Sequence, residues 1–184
     1  MLTLKSFTNF LNACKGLRET SGLVHSAAGS FEMLQILDST VYKPEHFKPW
    51  ELVPPEIFGA FGDKSLAFLD ARILWTADAI REHFNVPAVV NNYNSARPEE
   101  YVYSDSGIRL SPVGAATYSQ HLYGRALDIK LKGVDAETAR IEIKAKWKSE
   151  PAFRFITAVE LDVSWLHIDC RNTNSEQLLL FSKG

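Results

Sequence analysis

The chain has little that would tie it to a membrane, an export route or a nucleic acid. No apolar run in it is long enough to span a bilayer. Its opening segment, MLTLKSFTNFLNACKG, lacks the long apolar core of a signal peptide. The chain as written is therefore expected to begin in the cytoplasm, with export by another route left open. Basic residues are not in excess: 20 Lys and Arg stand against 22 Asp and Glu, for a formal net charge of −2. A surface that tracks phosphates has no support in that balance, and no basic run suggests a membrane surface. Cysteine is scarce. Cys14 and Cys170 lie far apart and form no CxxC pair, so both are expected as reduced thiols. Internal repeats and low-complexity stretches are absent, and nothing speaks to the oligomeric state. What is present is an ordinary globular composition, 46% apolar and 23% charged over 184 residues. That length suits one domain with an extension and a substantial core.

Periodicity gives a coarse order of elements. Residues 3–14 read as a short amphipathic helix closed by Gly16. Residues 25–38 are ambiguous between helix and strand. Four prolines in residues 42–59 mark an irregular, aromatic-rich connector that packs on the surface of the domain. Residues 63–85 form the clearest helical pattern, with Leu66, Leu69, Ile73, Ile80 and Phe84 on one stripe, Asp63 as a cap and Asn85 at the end. A strand is expected over 86–93, a polar irregular stretch over 94–118 and a strand over 126–131. Asp135 is placed to cap a helix over 134–149. Pro151 opens another, PAFRFITAVE, and VSWLHIDC (163–170) alternates as a strand. The tail, 171–184, has no strong pattern. The order predicts an α+β fold: a small, mostly antiparallel sheet flanked by helices. Residues 1–60 are expected as an N-terminal extension packed on a domain spanning 61–184.

One strand contains a chemical problem. Asp128 stands between Leu127 and Ile129 in TYSQHLYGRALDIKL, and burying a carboxylate there is costly unless something pairs with it. Arg125, a backbone cap or a metal are the candidates. His121 lies seven residues earlier, and His167 lies in the last strand. Two imidazoles and a carboxylate make a three-ligand set of the kind a catalytic zinc takes, with a fourth position left open. Gly124 supplies the freedom for a turn between His121 and Asp128. A His and an Asp at this spacing also occur by chance, and a strand histidine is commonly structural. His25, His46 and His83 have no metal-like setting.

SQHLYGRALD (119–128) matches the pattern S-x-H-x-x-G-x-A-x-D, and here the chain resembles the D-alanyl-D-alanine carboxypeptidase family of zinc peptidases. That group shares its fold with the zinc domain of hedgehog signalling proteins and includes phage endolysins that cut peptidoglycan stem peptides. SGIR (106–109) and SWLHID (164–169) resemble two further segments of the family, in the family's order. The resemblance spans about residues 65–172. It implies zinc on His121, Asp128 and His167, with Ser119 bracing the first ligand. It implies that Arg109 grips a substrate carboxylate, which suits a planar fork of donors. Arg125 falls at a variable position and receives no catalytic role.

The pattern departs at the general base. Many members carry a Glu three residues before the second His, or a His two before it; here those positions are Ser164 and Trp165. Glu160, Asp162 and Asp169 are the nearby acids. Glu160 is favoured as base, swinging over the metal from a helix end. Asp169, on the strand face of His167, could orient that ligand or act as base itself. Trp165 shares the face and is read as a groove wall or a core residue. The expected activity is zinc-dependent hydrolysis of an amide bond in peptidoglycan peptides, as a carboxypeptidase or endopeptidase in cell-wall lysis, with phage-mediated access to the wall. The alternative is a non-catalytic zinc-containing structural or binding domain, such as a phage virion component. Neither reading involves nucleic acid or membrane insertion.

Overall fold

A computed structural model describes residues 42–96, 102–111, 117–173 and 175–182 of the chain. The helix expected over 3–14, the segment 25–38, Cys14 and His25 lie outside the described residues. The described residues, from Tyr42 to Ser182, belong to one compact unit. Residues 42–60 share it, with Phe47, Leu52 and Val53 in the core.

The fold is α+β. Helices α1 (Pro55–Phe61), α2 (Ala71–Phe84) and α3 (Ala136–Lys146) accompany strands β1 (Ala88–Val89), β2 (Ala126–Leu131), β3 (Ala158–Glu160), β4 (Leu166–Asp169) and β5 (Leu179–Phe181). The strands form one sheet in the order β1-β2-β4-β3-β5. It is mixed: the pairs β1–β2, β2–β4 and β3–β4 are antiparallel, whereas β5 runs parallel to β3. The parallel edge comes from the tail, which has no alternation to announce it.

Local signals account for α3. Asp135 accepts a hydrogen bond from the Thr138 backbone N–H, as an N-cap should. The helix over 63–85 is corrected. Residues Gly62–Phe68 form a 3-10 turn, Leu69 and Asp70 are extended, and α2 begins at Ala71. Asp70, not Asp63, is the cap: its carboxylate accepts from Arg72 N at 3.0 Å. Its own N–H donates to Gly124 O at 2.9 Å, so a long-range bond overrides the helical period. Asn85 closes α2 in the left-handed conformation, as expected. The expected helix over 151–160 is also overturned. Pro151–Phe153 is a 3-10 turn, and Ala158–Glu160 joins the sheet because Thr157 N–H and its neighbours find acceptors on β4.

Alternation along β2 and β4 divides the sheet into two faces. Leu127, Ile129, Leu166 and Ile168 are buried in the apolar core with Ile73, Leu74, Ala77 and Ile80 of α2 and Ile143 of α3. The other face carries Asp128, Lys130, His167 and Asp169. Arg140 of α3 is buried and donates to the carbonyls of Glu160 (2.9 Å), Val163 and Trp165 (2.8 Å), pinning the β3–β4 turn beside that face. Among the described residues, no helix is long and apolar enough to cross a membrane.

Candidate metal centre

Strand register assembles a row of side chains. Asp128 of β2 lies directly opposite His167 of β4. One step beyond the Val159↔Ile168 pair, Glu160 of β3 falls beside His167, and Phe181 of β5 pairs with Glu160. Four adjacent strands thus present Asp128, His167, Glu160 and Phe181 side by side, and the His167 and Phe181 rings meet edge-on at 5.7 Å.

His121 comes from outside the sheet, on the 3-10 turn Gln120–Tyr123. Gly124 ends that turn at φ 63°, and a Cβ there would lie 2.1 Å from Phe68 O, so only glycine fits. Gly107 is required for a different reason. A Cβ on it would lie 1.9 Å from Leu52 O. That close approach brings the Gly107 carbonyl to His121, whose Nδ1–H donates to it at 2.6 Å. Ser119, expected to brace His121, stands at the start of the turn, where its carbonyl accepts from Leu122 N–H at 3.0 Å.

Three donor atoms converge. His121 Nε2 lies 3.2 Å from His167 Nδ1 and 3.3 Å from Asp128 Oδ1, and His167 Nδ1 lies 2.8 Å from that same oxygen. All three residues are buried. With its proton on Nδ1, His121 turns a lone pair inward. His167 has its Nε2 toward Asp169 Oδ2 at 3.5 Å, which leaves Nδ1 facing the cluster. Three electron-rich atoms this close, away from water, require something positive among them. A proton on His167 Nδ1 satisfies them, and so would a metal ion. The group could hold one.

The electrostatics follow. Burial opposes a charged His167, but its hydrogen bonds to Asp128 and Asp169 prevail and raise its pKa to about 9. Burial also dominates at His121 and pushes it below its ordinary value despite Asp128. Asp128 is held well below the usual carboxylate range: burial resists, and the hydrogen bonds of His121 and His167 outweigh it.

The remaining expected residues divide. Glu160 reaches the cluster, with Oε2 3.7 Å from His167 Nδ1, the inward nitrogen. It does so from a strand rather than a helix end. Asp169 is fully buried and faces the outward nitrogen, and Arg171 clamps its two oxygens at 2.8 and 2.5 Å. From that position Asp169 can orient the His167 ring, 3.5 Å from its Nε2. Asp162 turns away at φ 60° and accepts from Ser182 Oγ. Arg125 does not pair with Asp128 but lies 3.7 Å from Asp70. Arg109 does pair with it: Nη2 donates to Asp128 Oδ2 at 2.6 Å, and Nε to Asp105 O at 2.7 Å. The fork expected to grip a substrate is engaged on that side within the chain.

An open cleft of about 450 Å3 runs beside the cluster, lined by Arg109, Asp128, Lys130, Trp165 and residues 102–106 among others. Trp165 is therefore a wall, and its Nε1 is shielded without a hydrogen-bond partner among the described residues. Lys130 was not singled out by the sequence reading, although its place two residues after Asp128 put it on the same face. Burial lowers its pKa. Arg171 and Gly107 were also missed; the IDCR and SGIR segments held the only cue. Away from the cluster, His83 binds Glu142 and His46 binds Glu82. Cys170 is a buried free thiol, raised to about 12 chiefly by burial.

Comparison of the chain with family models, with curated proteins and with solved structures finds no match.

Proposed function

We propose that the protein is a zinc metallopeptidase that hydrolyses an amide bond in peptidoglycan stem peptides. The observation that carries this reading is the convergence of His121 Nε2, His167 Nδ1 and Asp128 Oδ1, with Glu160 3.7 Å from the second of them. The donor set fits zinc. Tetrahedral ligands about 2.0–2.1 Å from one ion stand about 3.3 Å apart, and the three atoms here are separated by 2.8, 3.2 and 3.3 Å. The S-x-H-x-x-G-x-A-x-D pattern at 119–128 supports the same choice.

Bound zinc supplies Lewis acidity, polarising a scissile carbonyl and acidifying water. The chain's own residues do the rest. Glu160 Oε2 accepts the proton of the attacking water and returns it to the departing amine nitrogen. Arg109 holds Asp128 through Oδ2, and Asp169 with Arg171 holds His167, so the ligand atoms keep their directions. Trp165 walls the cleft that takes the peptide.

Peptidoglycan fragments incubated with the protein, with products followed by mass spectrometry, test the reading. Glu160→Gln should keep zinc and fold yet lose about 10²–10⁴-fold in turnover, because Gln cannot accept the proton. Cleavage by neither protein, across several peptidoglycan types, would favour a zinc-containing binding or structural domain.

A further inference from the structure

The cleft carries two cations, and they are not equivalent. Arg109 has the Nε–Nη2 side of its fork occupied by Asp105 O and Asp128 Oδ2. Lys130 has no such claim on it. Its ammonium sits 3.8 Å from the centre of the Tyr103 ring and 3.4 Å from Ser106 Oγ, both neutral groups. It forms no ion pair among the described residues. Two acids line the same cleft. Asp128 is committed to Arg109 and the two histidines, and the exposed Asp105 carboxylate accepts from Ser104 Oγ at 2.9 Å. Lys130 therefore faces the cleft as a half-buried charge with no carboxylate in direct contact; Asp128 attracts it through space but spends its oxygens on Arg109 and the two histidines.

Its position suits a ligand lying along the metal cluster. Lys130 follows Asp128 by two residues on β2, so their Cα atoms are about 6–7 Å apart on one face. The aromatic ring beneath the ammonium removes part of its water, and a partly desolvated charge pairs more strongly than one on an open surface.

We propose that Lys130 is the anchor for a free carboxylate on the substrate, and that Arg109 is a positioning residue that fixes Asp128. This rests on the peptidase reading only in taking the cleft as the peptide's path. The ligand class is an N-acyl amino acid or peptide end with a free α-carboxylate, set down beside Trp165.

NMR titration with N-acetylalanine, in both enantiomers, against the corresponding primary amides tests the assignment. The protein is used both zinc-loaded and metal-free, because a carboxylate can also coordinate a metal, and zinc content and peptide cleavage are measured on the same samples. One enantiomer of the acid should bind about tenfold more tightly than its amide in both forms. Lys130→Met should erase that preference and Lys130→Arg should keep it. Arg109→Gln should keep it too, while weakening zinc. The proposal is overturned if acid and amide bind alike or neither binds, if Lys130→Met retains the preference, or if Arg109→Gln alone removes it. A Lys130-dependent preference in protein that takes up no zinc and cleaves nothing sustains the anchor and removes the peptidase reading. Zinc uptake and cleavage without a preference do the reverse.

Discussion

Metal uptake should release a proton, and the geometry says which one. In the metal-free cluster the positive charge among the three inward atoms is the His167 proton, held by Asp128 at 2.8 Å and opposed across the ring by Asp169. That proton leaves with a pKa of about 9. A metal ion needs the same lone pair, so below pH 9 it competes with the proton. Each pH unit should then cost about tenfold in apparent affinity, and at pH 7 the metal should bind about 100-fold more weakly than its limit above pH 9. His121 adds no competition in that range, because burial puts it below 6.5. Asp128 adds none either, being ionised throughout. Calorimetric titration of zinc, in buffers of differing ionisation enthalpy and with a competing chelator, counts the protons. About one should be released per zinc between pH 7 and 8. Release near zero, with affinity flat over that interval, would refute the assignment of the His167 proton as the metal's competitor. The sign for the metal-free fold is opposite. A raised folded-state pKa gives stability that is full below about 6.5 and lost as pH rises through about 9. Metal-free protein should thus lose denaturant resistance over that window, and zinc should restore it.

Asp169→Asn should lower zinc affinity about 10–100-fold, measured by chelator competition, because His167 loses the carboxylate that orients its outer nitrogen. Arg140→Met should cost about 3–5 kcal/mol in urea unfolding, since three backbone carbonyls of the β3–β4 turn lose one buried donor. The melting temperature should fall by about 10 °C or more, and a loss under 1 kcal/mol would mean that the turn is held by other contacts.

Much of the cluster was legible from residue spacing. His121 and Asp128 are seven residues apart, with a glycine between them that the turn needs at positive φ. Strand β2 announced itself through continuous apolar residues around one acid, and helix α3 through Asp135 at its start. These are short-range effects: capping, turn conformation and alternation act over a few residues and leave marks in the local sequence. His167 was a candidate because two imidazoles and a carboxylate complete a three-ligand set, but nothing in its own strand distinguishes a ligand from a core histidine, and the SWLHID resemblance was what favoured it.

The sequence alone therefore determined an α+β chain with His121 and Asp128 at the two ends of a tight turn. Tertiary structure decided what surrounds them. Glu160 reaches the cluster through strand register, although its segment, PAFRFITAVE, has a helical pattern, because backbone acceptors on β4 are worth more to it than local helix bonds. Leu69 and Asp70 break a helical stripe because Gly124, 54 positions away from Asp70, supplies an acceptor. Arg109 turns inward to Asp128, and Lys130 is left facing the cleft, because ion pairs are chosen by distance in three dimensions. Such pairings join residues far apart in the chain, and neither period nor composition records which of several possible partners lies within reach.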